Sequence, residues 1–323
     1  MKFRVTGLVL AGLASASLML NAFASTYDVG DTELPPVVVE ELEEAVETEE
    51  PRSPIYLNGE EADMLVHQVH NYVCYVTVES FVTAVDSEAM VEEENGMVTV
   101  TASAVTEVVD VEGDETVSAP YVVNEANVVE ETLTLSAWYG AFCAVANGRY
   151  LYVEDSVILV EGKVALPIRV LAKIYNMTVV YDGETQTIQV NHQEGASAYL
   201  TDAEEYYDSD TLYWLSHIIH AESGNQSLEG KLAVGNVVMN RVADPKFPDN
   251  ISDVLFQRNQ FSLAASGSIY REPNAESVVA AKLVMDGAEV LEDALFFNRA
   301  GMNTRAARTR PYVATIGAHS FYA

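Results

Sequence analysis

The chain has 323 residues, 49% of them apolar, which is enough for two or three folded domains. Its net charge of −32 is unevenly spread: residues 1–203 hold 34 acids against 7 bases, and residues 204–323 hold 15 against 10. Acidity on this scale argues against nucleic acid as a partner, because phosphate is repelled rather than neutralised, and it suits a chain kept dispersed outside the cytoplasm.

Lys2 and Arg4 give a short positive start, Val5 to Leu20 is apolar, and Ala22-Phe23-Ala24 forms a small-x-small pattern. Together they predict a secretory signal peptide over 1–24, cleaved after Ala24. An uncleaved anchor is the other reading, but the apolar stretch is short for a span. No other stretch is apolar enough to cross a bilayer, so no membrane span is expected after cleavage. Residues 25–54 then read as an acidic, disordered linker, with the run EELEEAVETEE and four prolines.

Residues 55–192 read as β-rich, with short Val, Thr, Tyr and Ile runs between acids and Gly turns. An internal repeat lies within them. Residues 75–101 align without gaps onto 165–191, so that Val78 falls on Ile168, Phe81 on Leu171 and Val98 on Ile188. Each copy predicts a strand end entering a short helix, then a strand, a tight turn and an alternating strand. Cys74 and Cys143 are the only cysteines. In an exported chain they form either one disulfide or two isolated buried thiols. Residues 193–209, with Gly195 and an acidic run, read as a second linker.

From Asp210 the periodicity becomes helical. Asp208 or Ser209 is the expected cap, and Leu212, Leu215, Ile218 and Ile219 form an apolar stripe. Glu222 continues that stripe, and Gly224 can end the helix. A carboxylate on the inward face of a helix end is desolvated, which raises its pKa and suits it to protonate a leaving oxygen. A Glu facing water at a frayed helix end is the competing reading of the spacing. Further helices are expected over 228–242 (cap Ser227, closed by Asp244-Pro245), around Val254 and Leu255 (cap Ser252), and over 275–286 (cap Asn274, ended by Gly287). Alternating strands follow at the end.

Two resemblances sharpen this outline. The segment VALPIRVLAKIYNMTVVYDGETQTIQV, with the preceding NGRYLYVEDSVILVEGK, resembles the stalk-like domain known from the N-terminus of copper amine oxidases. It implies a small α/β stalk or wall-attachment module, without copper site or oxidase chemistry. The segment LSHIIHAESGNQSLEGKLAVGNVVMNRVADPKFPDNISDVLFQRNQFS, with ALFFNRAG and IGAHSFY at the end, resembles the catalytic domain of SleB/CwlJ-type cell wall hydrolases, which include spore cortex-lytic enzymes. Its marks are the dipeptide Ala221-Glu222, the pair Asn240-Arg241, the element Gln260-Phe261-Ser262, and Asn298 and His319 on the closing strands.

The second resemblance implies cleavage of the glycan strands of peptidoglycan between N-acetylmuramic acid and N-acetylglucosamine, with Glu222 as acid and then base. It implies a lytic transglycosylase if the muramic C6 hydroxyl attacks, or a muramidase if water does. Standard glycosidases use two carboxylates. An intramolecular attack needs no protein nucleophile, and no second carboxylate here has an equally apolar setting. Gln260, Phe261, Ser262, Phe297, Asn298 and His319 are the candidate substrate-binding residues, since amides beside aromatics suit N-acetyl sugars. Loop capping for the amides and Ser262, and packing for His319, are the plain alternatives. Tyr270 and Tyr312 are weaker stacking candidates. The pairs His217/His220 and His67/His70 lack a third ligand in any recognised spacing, so no metal and no cofactor is expected.

The expected fold class is therefore α+β: a lysozyme-like helical catalytic domain with a small β-part over 210–323, preceded by a β-rich α/β stalk-like region. The expected protein is secreted and wall-associated in the Gram-positive manner, with the stalk-like region offering wall attachment. A non-catalytic peptidoglycan-binding protein is the alternative.

Overall fold

A computed structural model of the chain describes residues 53–107, 128–258 and 260–323. The expected signal peptide and nearly all of the first linker lie outside the described residues. The chain forms two compact units. The first contains the described residues up to Asn147 together with Val153–Leu200, and the second contains Gly148–Tyr152 together with Thr201–Ala323.

The elements up to residue 192 are β1 (Ile55–Leu57), β2 (Glu60–Glu61), β3 (His67–His70), β4 (Val73–Thr77), α1 (Val78–Val85), β5 (Met90–Glu94), β6 (Met97–Glu107), β7 (Val128–Trp138), β8 (Cys143–Ala146), β9 (Arg149–Tyr152), β10 (Ile158–Val160), β11 (Lys163–Pro167), α2 (Ile168–Ile174), β12 (Met177–Asp182) and β13 (Thr187–His192). All but β9 belong to the first unit.

In the first unit, positions ninety residues apart occupy matching places. Val78 opens α1 and Ile168 opens α2; Met97 opens β6 and Thr187 opens β13. The sheet β10-β11-β4-β3 is ordered symmetrically about its centre. There β4 and β11 run antiparallel with Val76 opposite Leu166, which are themselves ninety apart. Both side chains are fully buried. The copies differ in detail. Thr77 caps α1 by accepting the Ser80 amide, whereas Pro167 precedes α2 with no side-chain cap. The pair Asn95-Gly96, with φ of 53° and 73°, closes the β5–β6 hairpin, because both positions need the left-handed region. Cys74 and Cys143 are two separate buried thiols. Burial pushes each thiol up to about 12.

The second unit adds α3 (Ala203–Tyr206), α4 (Ser209–Ser223), α5 (Leu228–Ala243), α6 (Ile251–Leu255), α7 (Ser262–Ala265), α8 (Ala275–Met285), β14 (Phe296–Arg299), α9 (Arg305–Thr309), β15 (Tyr312–Ile316) and β16 (His319–Tyr322). Helices α4, α5 and α8 pack on one another, and the three strands form an antiparallel sheet in the order β14-β16-β15. This helical body with a small sheet is an α+β unit, in keeping with the expected lysozyme-like plan. The helices cross closely at Gly235 on α5. A Cβ there would lie 2.9 Å from Val284 Cγ2 and 3.0 Å from Ile219 Cδ1.

Local capping explains the main helix ends. Asp208 accepts the Thr211 amide at 2.7 Å to open α4, and Gly224 closes it. Ser227 caps α5 and Asn274 caps α8, whose end is followed by Gly287 at φ 92°. One expected cap is corrected. Asn250, not Ser252, caps α6: its extended backbone lets Oδ1 accept the Asp253 amide at 2.9 Å, and Ser252 instead donates to that same oxygen. The stretch expected as a second linker, 193–209, holds α3 and buries Tyr199, Leu200 and Tyr207. Its aromatics outweigh its acidic run.

A buried ion pair anchors β9 within the second unit. Arg149 donates to Asp286 from Nε at 3.1 Å and also from Nη2. Tyr207 donates its hydroxyl to the same carboxylate, and the Tyr206 ring lies under the guanidinium. Among the described residues no helix is long and apolar enough to cross a membrane.

Candidate active site

Glu222 stands in the last turn of α4, three residues after Ile219 and four after Ile218. Leu215, Ile218 and Ile219 are all fully buried. Helical periodicity therefore carries Glu222 on the inner face to the point where the helix opens onto the loop before α5. Its side chain is half-buried. Burial lifts its carboxyl from an ordinary 4.5 to about 7. Among the described residues nothing donates a hydrogen bond to it or pairs with it. The result is an unpaired carboxyl that holds a proton near neutrality, which is what a general acid needs.

The loop after Glu222 is held from several sides. Lys231, only 1% exposed, donates from Nζ to the Gln226 carbonyl at 2.6 Å and to Glu276 at 2.8 Å. Asn274 donates its side-chain amide to the Gly224 carbonyl and its backbone N–H to His220 Nδ1. Gln226 Oε1 accepts the Ala318 amide at 2.9 Å. Ala318 and Gly317 form the two-residue turn between β15 and β16. Gly317 has φ 54°, and a Cβ there would fall 2.5 Å from Gln226 Oε1. The hairpin that starts with His319 is thus joined to the loop that starts after Glu222. Neither Gln226 nor Lys231 is marked by a motif in the sequence. A buried lysine seated by a carbonyl leaves no local pattern.

The other candidates fall in distinct settings. His319 is half-buried, with its ring edge-on to Phe297 at 5.2 Å. Burial lowers its pKa, and its Nδ1 is buried without a hydrogen-bond partner. Phe261 is buried beside Phe297, with the Arg241 guanidinium 4.9 Å from its ring. Asn298 is engaged locally: Oδ1 accepts from Thr304 at 2.5 Å and Nδ2 donates to the Arg299 carbonyl. Gln260 is exposed and lines a hollow with Phe296 and Arg310. Ser262 opens α7, and the role expected of its side chain lies outside the described residues. Tyr270 and Tyr312 are exposed.

The pair Asn240-Arg241 does structural work. Asn240 Nδ2 donates to carbonyls of Leu291, Glu292 and Ala294, and Arg241 Nε donates to Leu295. Together they set the loop that leads into β14. His217 and His67 are engaged in packing. His217 is buried, with Nδ1 2.7 Å from the Ile269 carbonyl and its ring against Tyr213. His67 Nδ1 lies 3.0 Å from the Leu65 carbonyl. Among the described residues no group of His, Cys, Asp or Glu has the arrangement of a metal site.

Residues 225–322 match the family described as Cell Wall Hydrolase, and residues 123–190 match the Copper amine oxidase N-terminal domain. Glu222 lies three residues before the first of these stretches. The chain is 30% identical over 116 residues to a spore cortex-lytic enzyme of Bacillus cereus, covering 36% of this chain and 45% of that protein. It is 28% identical over the same length to the spore cortex-lytic enzyme of Bacillus subtilis, covering 38% of it. The chain thus spans less than half the length of these curated relatives. A solved structure described as the catalytic domain of the germination-specific lytic transglycosylase SleB from Bacillus anthracis is 28% identical, with 36% of this chain and 97% of that one covered and a TM-score of 0.34. The catalytic domain of the Bacillus cereus SleB protein is 27% identical, with 40% and 99% covered and a TM-score of 0.35. The chain therefore carries a cell wall hydrolase domain in its last part, behind a copper amine oxidase N-terminal domain.

Proposed function

We propose that this protein is an exported enzyme that cleaves the glycan strands of peptidoglycan, with Glu222 as its general acid and base. The observation that carries the reading is the half-buried Glu222 carboxyl, unpaired and lifted to about 7, at the mouth of a buried helix stripe. The matched family and the spore cortex-lytic relatives support the substrate class.

The protonated carboxyl of Glu222 gives its proton to the oxygen linking muramic C1 to the next sugar. The C1–O bond breaks, and the leaving sugar departs with a new hydroxyl. The carboxylate left behind then accepts a proton from the muramic C6 hydroxyl as that oxygen closes on C1, giving a 1,6-anhydro end. Attack by water instead gives a reducing end. Either course returns the proton to Glu222 and needs no protein nucleophile or metal ion. Gln260, Phe261, Ser262, Phe297, Asn298 and His319 are proposed to form or support the substrate-facing wall. The signal peptide expected over 1–24 supports secretion, and the stalk-like first unit is proposed to hold the enzyme at the wall.

Mass spectrometry of muropeptides released by the chain tests this. New anhydro or reducing muramic ends are expected with the parent chain and none with Glu222→Gln. Equal release by that variant removes Glu222 from the chemistry. Free amino groups in place of new glycan ends make the protein a peptide-bond or amide hydrolase instead.

A further inference from the structure

The second unit contains a hollow of about 320 Å³ lined by Lys246, Phe247, Gln257, Gln260, Phe296 and Arg310. In a chain of net charge −32, this lining holds two cations and no acid. Arg310 lies 4.3 Å from the Phe296 ring centre, and no carboxylate among the described residues pairs with it. Lys246 is exposed, and its one ion pair among the described residues is a long one with Asp244, at 3.8 Å.

A third cation stands against the same wall. Arg241 is 4% exposed, its Nε donates to the carbonyl of Leu295, a further lining residue, and its guanidinium lies 5.2 Å from both Phe247 and Phe296. Its Nη1 is buried without a hydrogen-bond partner, and no carboxylate among the described residues pairs with it. Gln257 Oε1, on the lining itself, is likewise buried and unpartnered. A buried cation without an anion and a buried carbonyl oxygen without a donor are both costly states. The cation–π contacts of Arg241 with Phe247 and Phe296 offset only part of the first.

The two orphaned atoms differ in what they need. Arg241, Lys246 and Arg310 want an anionic acceptor, whereas Gln257 Oε1 wants an N–H donor. We propose that the hollow is a subsite for an acidic acyl-peptide, whose carboxylate faces Lys246 and Arg310 and whose amide N–H faces Gln257 Oε1. Resting on the glycan-cleaving reading, this ligand is the peptide branch carried on the lactyl group of muramic acid. The substrate class then becomes glycan strands that bear acidic peptides, in preference to bare strands. The volume suits a branch, since it lies at the low end of ligand pockets, roughly 300–1,000 Å³. The position suits it too. Gln260 and Phe296 line the hollow, and their chain neighbours Phe261 and Phe297 pack together beside His319.

Titration calorimetry of the Glu222→Gln chain with N-acetylmuramyl-alanyl-glutamate tests the proposal without turnover. Saturable binding is expected, weakened tenfold or more by Lys246→Glu with Arg310→Glu, and severalfold by Gln257→Leu. The ligand's diamide, which lacks the carboxylates, is expected to bind at least tenfold more weakly to the unaltered hollow, a comparison that does not depend on how the variants fold. Absence of binding, equal binding of the diamide, or equal binding by the charge-reversed chain overturns the proposal. A poly(glycerol phosphate) that binds as tightly as the peptide also overturns it, because the hollow then reads charge alone. Glycan cleavage without peptide binding sinks this proposal and leaves the catalytic reading standing. Peptide binding without any glycan cleavage does the reverse.

Discussion

Gln226 Oε1 accepts the backbone amide of Ala318 at 2.9 Å, joining the loop that leaves Glu222 to the hairpin turn that enters His319. The two residues are 92 apart in sequence. Removing the side chain leaves the turn amide to water and frees the hairpin. Gln226→Ala should cost about 1 kcal/mol of stability, the net worth of one hydrogen bond. It should cost more in turnover, roughly tenfold in kcat, because small misplacements of a site are amplified in rate. Steady-state release of glycan ends, with hydrogen exchange of the Ala318 amide, separates the two effects.

Glu222 gives a pH signature. As the general acid it must hold its proton, so kcat/KM should fall tenfold per pH unit above about 7. Glu222→Gln should lose about 10²–10⁴-fold and lose that limb. Stability follows the same group with a definite sign. The folded chain binds this proton more tightly than the unfolded one, so stability is full below about 4.5 and is lost as pH rises toward about 7. The shift sets a ceiling of about 3 kcal/mol on that loss. Chemical unfolding of the parent and Glu222→Gln chains at pH 5 and pH 8 checks it: the variant should gain relative stability at the higher pH.

Asp286 and Arg149 should behave as a unit. Asp286→Ala leaves a buried guanidinium without its anion and should cost about 3–5 kcal/mol. Replacing both with apolar side chains, Arg149→Met with Asp286→Leu, should be far milder than that single change. A double-mutant cycle read by thermal unfolding measures the coupling. Additive effects would mean that the pair is not a unit.

Gly235 predicts strain from added bulk. Val284 and Ile219 would have to yield to a single methyl, so Gly235→Val should destabilise by about 1–3 kcal/mol or more. Ile219 lies one turn before Glu222, so turnover should fall as well. Unfolding midpoints and glycan-end release for Gly235→Ala and Gly235→Val give a graded test.

Much of the second unit could be read from local patterns. Asp208, Ser227 and Asn274 are caps within three residues of the amides they accept, and a cap needs no distant partner. Glu222 was legible because helical spacing ties it to Leu215 and Ile219. The same logic misassigned the cap of α6, since Asn250 and Ser252 are both competent and only backbone conformation decides between them. It also missed α9, a five-residue helix in an arginine-rich loop with no apolar stripe. What local pattern could not show was any partnership across the chain. Arg149 meets Asp286 over 137 residues, Lys231 meets Glu276 over 45, and Arg241 meets Leu295 over 54. Arg149 in particular sits in a stretch that reads as part of the stalk-like region, yet it belongs to the second unit.

The facing of Val76 and Leu166 has a consequence for how such a unit arises. Either half alone would end in β4 or β11 with a bare edge strand whose middle, at Val76 or Leu166, is apolar, which invites another chain to pair with it. The occupant of that edge here is the matching strand of the other copy, set antiparallel to it. The central sheet of the first unit therefore has the form of a dimer interface written into one chain. Fusion removes the concentration dependence of assembly and leaves each half free to diverge, as the Thr77 and Pro167 helix starts already have.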